Sequence, residues 1–360
     1  MLKRLDRYII QRFMVTFAVA LGLFTLIIII FDVSEKLDDF VEKQAPIKEI
    51  IFGYYLNFIP FILNLFSPFF VFLTVIFFTS KLAEKSEIVA MLASGVTYNR
   101  FLRPYIIVSL VFGGFSFLLN AWIIPRSDKI RVVFENRYIR NLDNDFKENI
   151  IRQIKPGVVM SLGSFNRMDS TGYNLNLEWI DQGKVVKKLY AERINWSPKK
   201  KKWRIFNYRY RSIYNNGSEK LRFGEYQDTM IPFNPTDFFR RDDDVQSFNM
   251  KELDTYIELE KMRGTGRAFF YITEKYRRYS APFSLFLLTF IGVCVSSSKK
   301  RGGIGVNLAV GLFISFAYLF IIQWFISYGS NGSMPPALAV WLPNIMFIPI
   351  ALYFYRTAQK

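Results

Sequence analysis

The chain has 360 residues, 51% of them hydrophobic, and a formal net charge of +17. Apolar residues gathered in long runs beside so many cations exclude an ordinary soluble globule. There is no histidine, which removes the commonest general base and metal ligand, and the one cysteine excludes an intrachain disulfide and a thiolate zinc site. Cys294, in the apolar run LLTFIGVCV, reads as a small buried hydrophobe.

A membrane span needs about 20 mostly apolar residues to cross a hydrocarbon core about 30 Å thick. Six stretches qualify: about 12–31, 50–78, 104–124, 280–297, 304–326 and 336–355. The first is too long for a signal-peptide core and is followed by no small-residue cleavage site, so it reads as a retained helix. The second holds Pro60 and Pro68 with Asn57, Asn64 and Ser67. That pattern fits either a broken helix with polar groups turned to the bundle or a tilted helix with ordinary proline kinks. Lys3, Arg4, Arg7 and Arg12, then Lys81, Lys85, Arg100 and Arg103, then Lys299, Lys300 and Arg301, and finally Arg356 and Lys360 fall in alternate connections. The positive-inside rule puts those segments and both termini in the cytoplasm. The opposite loop 32–49 has three lysines against six acids, and 327–335 has no charge. The expected division is therefore 1–124 with three spans, 125–279 outside, and 280–360 with three more.

Within 125–279, residues 125–148 extend the third span outward. Ile150 to Leu162, Tyr173 to Ile180, Val185 to Trp196, Trp203 to Tyr214 and Lys220 to Ile231 read as strands. Turn signals punctuate them: Pro156-Gly157, Ser170 to Gly172, Gln182-Gly183, Ser197-Pro198 and Asn215-Asn216-Gly217. The spacing predicts an antiparallel sandwich or jelly roll. The run Lys199 to Lys202 reads as a solvated turn, with no nucleic acid as partner. Asn249 and Glu252 form a capping box opening an amphipathic helix. Gly264 and Gly266 interrupt it before a segment that leads into span four.

No phosphate-binding glycine loop occurs, and no catalytic residues, metal ligands or cofactor are expected. The loop SKLAEKSEIVAMLASGVTYNRFLR (80–103) is the informative segment: Glu84 to Ala93 reads as a short amphipathic helix ended by Gly95, with Ile88, Met91 and Leu92 on one face. Such a helix either docks a partner or rests on headgroups. Glu84-Lys85-Ser86-Glu87-Ile88-Val89-Ala90-Met91-Leu92-Ala93-Ser94-Gly95 resembles the coupling-helix motif of the LptF/LptG family of lipopolysaccharide-export permeases. The likeness runs over essentially the whole chain. Leu5-Asp6-Arg7-Tyr8-Ile9, Gln153-Ile154-Lys155-Pro156-Gly157, Ala191 to Trp196, Arg301-Gly302-Gly303 and Met334-Pro335-Pro336 through Trp341-Leu342-Pro343 resemble further family segments.

The resemblance implies a membrane α-helical bundle of six transmembrane helices with an inserted all-β periplasmic domain, jelly-roll-like. It implies one transmembrane half of an ATP-binding-cassette exporter in the bacterial inner membrane. The partners would be a paralogous permease subunit, a cytoplasmic ATPase dimer, a periplasmic jelly-roll bridge protein, lipopolysaccharide and membrane lipid. The ATPase would grip Glu84, Ser86, Glu87, Ile88, Met91, Ala93, Ser94 and Gly95. Leu23, Ile27 and Ile30 of span one and Phe316, Phe320 and Trp324 of span five would line a lateral opening; lipid-facing packing is the other reading of those residues. Where some members place two lysines after span one, this chain reads Glu35-Lys36-Leu37-Asp38-Asp39, leaving Lys36 and Lys43 to meet lipid phosphates. Arg126, Lys129 and Arg131 outside span three, and Lys275, Arg277 and Arg278 outside span four, are candidate substitutes. Ordinary snorkelling accounts for the same residues. The competing classes are a membrane-anchored scaffold that recruits periplasmic partners and an intramembrane lipid enzyme. Few charges within the spans favour acyl chains over ions as cargo.

Overall fold

The computed structural model describes residues 4–140, 146–214, 217–231, 233–235, 242–298 and 303–358. Lys3, Asn215, Asn216, Lys299, Lys300, Arg301, Gly302 and Lys360 of the sequence reading lie outside the described residues. Six helices are long and apolar enough to span a membrane: α1 (Arg4–Glu42), α2 (Ile47–Glu84), α4 (Tyr98–Tyr138), α6 (Ala268–Ser296), α7 (Gly303–Ser330) and α8 (Pro336–Thr357). Two shorter ones are α3 (Glu87–Ala93) and α5 (Met250–Arg263). Six strands, β1 (Phe146–Lys155), β2 (Val158–Asn166), β3 (Thr171–Asp181), β4 (Lys184–Ser197), β5 (Lys202–Ile213) and β6 (Glu219–Thr229), stand between α4 and α5. A helical bundle with an inserted β domain is thus the architecture.

Two compact units divide the chain. One comprises residues 1–139, 246–253 and 269–360; the other comprises 140–245 and 254–268. In the first unit, α1, α2 and α4 run for 39, 38 and 41 residues. At 1.5 Å per residue each is roughly 60 Å long, twice the hydrocarbon thickness. All three therefore project beyond a bilayer, and Phe40, Tyr54, Tyr55, Phe134 and Tyr138 pack together on these extensions. Helix α2 is unbroken through both prolines. Pro68 cannot donate to the carbonyl of Asn64, and the Ser67 hydroxyl donates to that oxygen instead (3.0 Å). A π-helical turn, Ile50–Tyr55, opens α2, and a second, Leu119–Ile123, sits in α4. The Asn57 amide donates to the carbonyls of Phe52 and Gly53 in the first (2.7 and 3.2 Å). Small residues let the helices approach: a Cβ on Gly113 would lie 3.2 Å from Pro282.

In the second unit the strands follow one another in a six-stranded antiparallel meander, β1 to β6. The segment expected as a first strand over 150–162 is a hairpin, because Gly157 takes φ +72 after Pro156 and turns the chain. Leu162, Leu175, Leu189, Ala191, Ile194, Trp203 and Ile205 form a dry core on one face. Trp203 Nε1 donates to the Phe233 carbonyl (2.9 Å), which brings the chain after β6 onto that core.

One row of the sheet is unusual. Asn149, Gly163, Asn174, Glu192, Asn207 and Glu225 stand opposite one another across all six strands, and the pairing skips this row in every ladder. Asn149, Asn174 and Asn207 have φ of 52, 56 and 46, in the left-handed region that asparagine tolerates best after glycine. Inward side chains jump from Leu162 to Phe165, from Ala191 to Ile194 and from Ile205 to Tyr208 across it. The row is a transverse crease that bends the sheet as bulges do.

In the outermost strand β6, Asp228 accepts from Arg204 Nε (2.7 Å) and Lys200 (3.0 Å). These bonds hold its carboxyl far below the ordinary carboxylate range. A depressed folded-state pKa contributes stability above the unfolded value of about 4, and that stability is lost as the pH falls through the lower folded value. The stability of the full chain should therefore fall more steeply in acid for the wild type than for Asp228→Asn. Thermal unfolding followed from pH 7 into acid checks this.

Candidate functional site

The loop 80–103 is built by two left-handed residues. Ser86 takes φ 59 and breaks the helix after Glu84, so α3 begins at Glu87 rather than at Glu84. Gly95, at φ 88, ends it: Gly95 N donates to the Leu92 carbonyl (3.0 Å) and Val96 N to that of Met91 (3.2 Å), a Schellman closure. Ile88 is buried, and Met91 and Leu92 pack on the same bundle core. Outward stand Val89, Ala90, Ala93, Ser94 and Gly95, with Glu84, Lys85 and Ser86 also exposed. Glu87 is half-buried and accepts from the Tyr8 hydroxyl of α1 (3.3 Å).

This loop is tied to four helix ends. Arg100 donates through both terminal nitrogens to the Asp6 carboxylate of α1 (2.6 and 2.8 Å). Asp6 is 1% exposed. Tyr98 shares a hydrogen bond with Ser297, just past α6 (3.0 Å), and Tyr355 of α8 donates to Asn99 (2.8 Å). Thr97 caps α4 through Arg100 N. Bidentate Arg–carboxylate geometry fixes direction as well as distance. Short polar contacts thus join the first turn of α4, just after α3, to α1, α6 and α8, and Glu87 joins α3 itself to α1.

At the other end of the bundle most of the candidate cations face acids of their own. Lys36 pairs with Asp32, bonds the Tyr54 hydroxyl and lies 4.8 Å from the centre of that ring. Arg131 pairs with Asp128 (2.5 Å) and approaches Glu135 (3.6 Å). Lys129 pairs with Glu252 (2.6 Å), and the reciprocal Asn249–Glu252 cap, 2.9 Å each way, holds that glutamate. Arg277 and Arg278 converge on Glu274 through their Nε atoms (2.7 and 3.0 Å), and Arg278 also donates to the Phe248 carbonyl (2.7 Å). Lys43 donates to the Ile139 carbonyl (3.4 Å), Lys275 is half-buried, and Arg126 is exposed.

Leu23, Ile27 and Ile30 of α1 and Phe316, Phe320 and Trp324 of α7 are all exposed, and α2 packs against both helices. An apolar exposed face of this size on spanning helices meets lipid or another membrane chain. The sequence model of the lipopolysaccharide export system permease LptF/LptG matches residues 7–357. The chain belongs to the LptF/LptG family.

Comparison with individual curated proteins found no match. Membership of the LptF/LptG family makes this chain a transport permease rather than a catalyst, and with its six apolar helices a multi-pass membrane protein. Sequence reasoning missed the ties from Asp6, Tyr8, Tyr98 and Asn99. The only advance signal was that Asp6 and Tyr8 stand in the opening segment Leu5 to Ile9, and Tyr98 and Asn99 just after α3. It also missed Glu274, although Glu274 precedes Arg277 and Arg278 by three and four residues, the spacing at which helical side chains meet.

Proposed function

We infer that this chain is one of two permease halves of an ATP-driven exporter of lipopolysaccharide, with the α3 loop as the part that a cytoplasmic ATPase dimer holds. The carrying observation is the division of labour in that loop. One face of α3 is sunk in the bundle, the other offers Val89, Ala90 and Ala93 to water, and the ends are tied to α1, α4, α6 and α8. On this reading residues 84–95 and both termini are cytoplasmic, and residues 125–279 are periplasmic. A paralogous permease covers the apolar faces of α1 and α7, and lipid enters between spans one and five from the outer leaflet. The β domain then hands the lipid to a periplasmic bridge of like fold.

The ATPase supplies the energy, and this chain converts it to motion. Force on α3 passes to α1 through Tyr8–Glu87 and Asp6–Arg100, so the helix that would line the lateral opening moves with the coupling loop. Capture of the solubilised chain before and after Glu87→Arg tests this. The native chain should bring down an ATPase, and the variant, which replaces an acceptor of the Tyr8 bond by a cation, should lose most of it. If no ATPase is captured with the native chain under conditions that keep the membrane complex together, the exporter reading fails and a scaffold role replaces it.

A further inference from the structure

The crease of the β domain is also a groove. A cavity of about 640 Å³ lies along it from β3 to β6, within the second unit alone. Three strand spacings of about 4.8 Å make it roughly 14 Å long. Asn174, Glu192, Asn207 and Glu225, one from each strand, line it along the crease. Tyr190, Arg209 and Phe223, which stand opposite one another in the pairing, form a wall. Ala191 and Tyr208, next to Tyr190 and Arg209 in sequence, belong to the dry core. Successive strand residues point to opposite faces, so the wall stands on the face away from that core.

Its polar groups mix donors with acceptors. The Asn207 amide donates to Glu192 (2.7 Å), and the Tyr190 hydroxyl donates to the amide oxygen of Asn174 (3.2 Å). Those bonds orient four side chains and leave each amide and the Glu192 carboxylate further bonding capacity. Glu225 pairs with no cation among the described residues, and Arg209 with no acid there; the Arg209 guanidinium lies 5.4 Å from the centre of the Tyr190 ring. Phe223 is 64% exposed. Asn174, Glu192, Asn207, Arg209 and Glu225 are exposed too, so water meets their remaining capacity. Ligand hydroxyls can replace such water at little cost.

A ligand that donates and accepts at many points suits such a lining, as a chain of hydroxyl groups does. Glu192 and Glu225 oppose an anion and Arg209 opposes a cation, so the ligand is uncharged where it touches. The open ring of Phe223 takes an apolar C–H face. A peptide strand would seek backbone pairing along an edge, whereas this groove crosses the strands. We propose that the groove binds a linear glycan, laid across β3 to β6 with its hydroxyls on Asn174, Glu192, Asn207 and Glu225 and one ring face on Phe223. The volume is that of a small-ligand site. The same sugar chemistry is offered by cell-wall strands and by the saccharide of a lipopolysaccharide. The site rests on the β domain and not on ATP coupling, so a chain that captured no ATPase would still bind the glycan.

Calorimetric titration tests this on the full chain in phospholipid nanodiscs, free of sugar-headed detergent. The probes are cellotetraose and chitotetraose, the second with an acetamido group on each ring. At least one should bind at a single site. Phe223→Ala should weaken that binding about 10-fold, the upper end for one aromatic contact, and Glu225→Ala several-fold. Glu225→Gln should keep most of it, and about 0.5 M salt should leave it unchanged, because salt screens only charged partners. These substitutions lie on an exposed surface and should leave the melting temperature unchanged. Displacement of the bound tetraose by glycan strands released from cell wall, or by deacylated lipopolysaccharide, identifies the source. Binding of neither tetraose overturns the proposal, as does binding that Phe223→Ala does not weaken. Binding lost equally in Glu225→Gln and Glu225→Ala, or lost in salt, overturns it in favour of a charged partner.

Discussion

Ala93→Arg should abolish capture of the ATPase while leaving the permease folded. Ala93 is exposed in the last turn of α3, beside Val89 and Ala90, and its side chain touches neither the bundle core nor the ties to α1 and α8. A surface substitution of that kind changes stability by about 0.5 kcal/mol or less. In a closed interface, however, the arginine would be a buried cation without a partner. Such a charge costs about 3–5 kcal/mol, which is roughly 100-fold to 4,000-fold in affinity. The paired measurement is ATPase capture and thermal unfolding of the same preparation. Lost capture with an unchanged melting temperature supports α3 as the docking face. Retained capture means that the partner holds some other part of the loop. Glu87→Arg is a less discriminating probe, because Glu87 is half-buried and holds Tyr8, so its loss also loosens α1.

The largest loss of stability is expected from Glu274→Ala. Glu274 is buried and accepts from Arg277 and Arg278 together, and Arg278 is itself 2% exposed. Removing the carboxylate leaves two guanidiniums without their shared counter-ion, at a cost of about 3–5 kcal/mol. Thermal unfolding in detergent should show a large downward shift. The double variant Glu274→Ala with Arg278→Met should recover part of it, because the stranded buried charge is removed as well. A single variant that melts with the wild type would show that the trio contributes no net stability. Recovery absent from the double variant would place the loss in packing rather than in charge.

Both results bear on how far the sequence could be read. The spans were legible because hydrocarbon thickness sets a length that composition meets or fails to meet. Their extensions were less so. Helix α1 continues through Glu35, Lys36, Asp38 and Asp39, where hydropathy stops but the hydrogen-bonding pattern does not. The candidate lipid cations illustrate a different limit. Lys36 follows Asp32 by four residues, Arg131 follows Asp128 by three, and Arg277 and Arg278 follow Glu274 by three and four. Each could have been read as half of an intrahelical pair before being offered to a phosphate. Lys129 could not, since its partner Glu252 is 123 residues away. In the coupling loop the motif was visible, but the left-handed Ser86 that moves the start of α3 to Glu87 was not, because serine carries no strong signal for that conformation.

Polar and apolar residues alternate in Leu175-Asn176-Leu177-Glu178-Trp179. That stretch starts just past the crease at Asn174 and lies on one side of it. In β2, β4 and β5 the inward set changes phase in mid-strand, so a period of two fits each half and not the whole. No single strand announces such a break. It becomes evident only when Asn149, Asn174 and Asn207 are found opposite one another.

That alignment restricts what can join the sheet. A strand sliding along its neighbour by two residues would keep its side chains on the correct faces and still be rejected, because its bend would no longer coincide with the bend beside it. The same holds for a strand arriving from outside at β1 or β6. A straight strand could pair along one half of either edge and would part from it at Asn149 or Glu225. A strand bent at the matching step could continue across the full width. Among the described residues β1 and β6 are the outer strands, and each thus accepts a newcomer by shape, without any side chain having to recognise it.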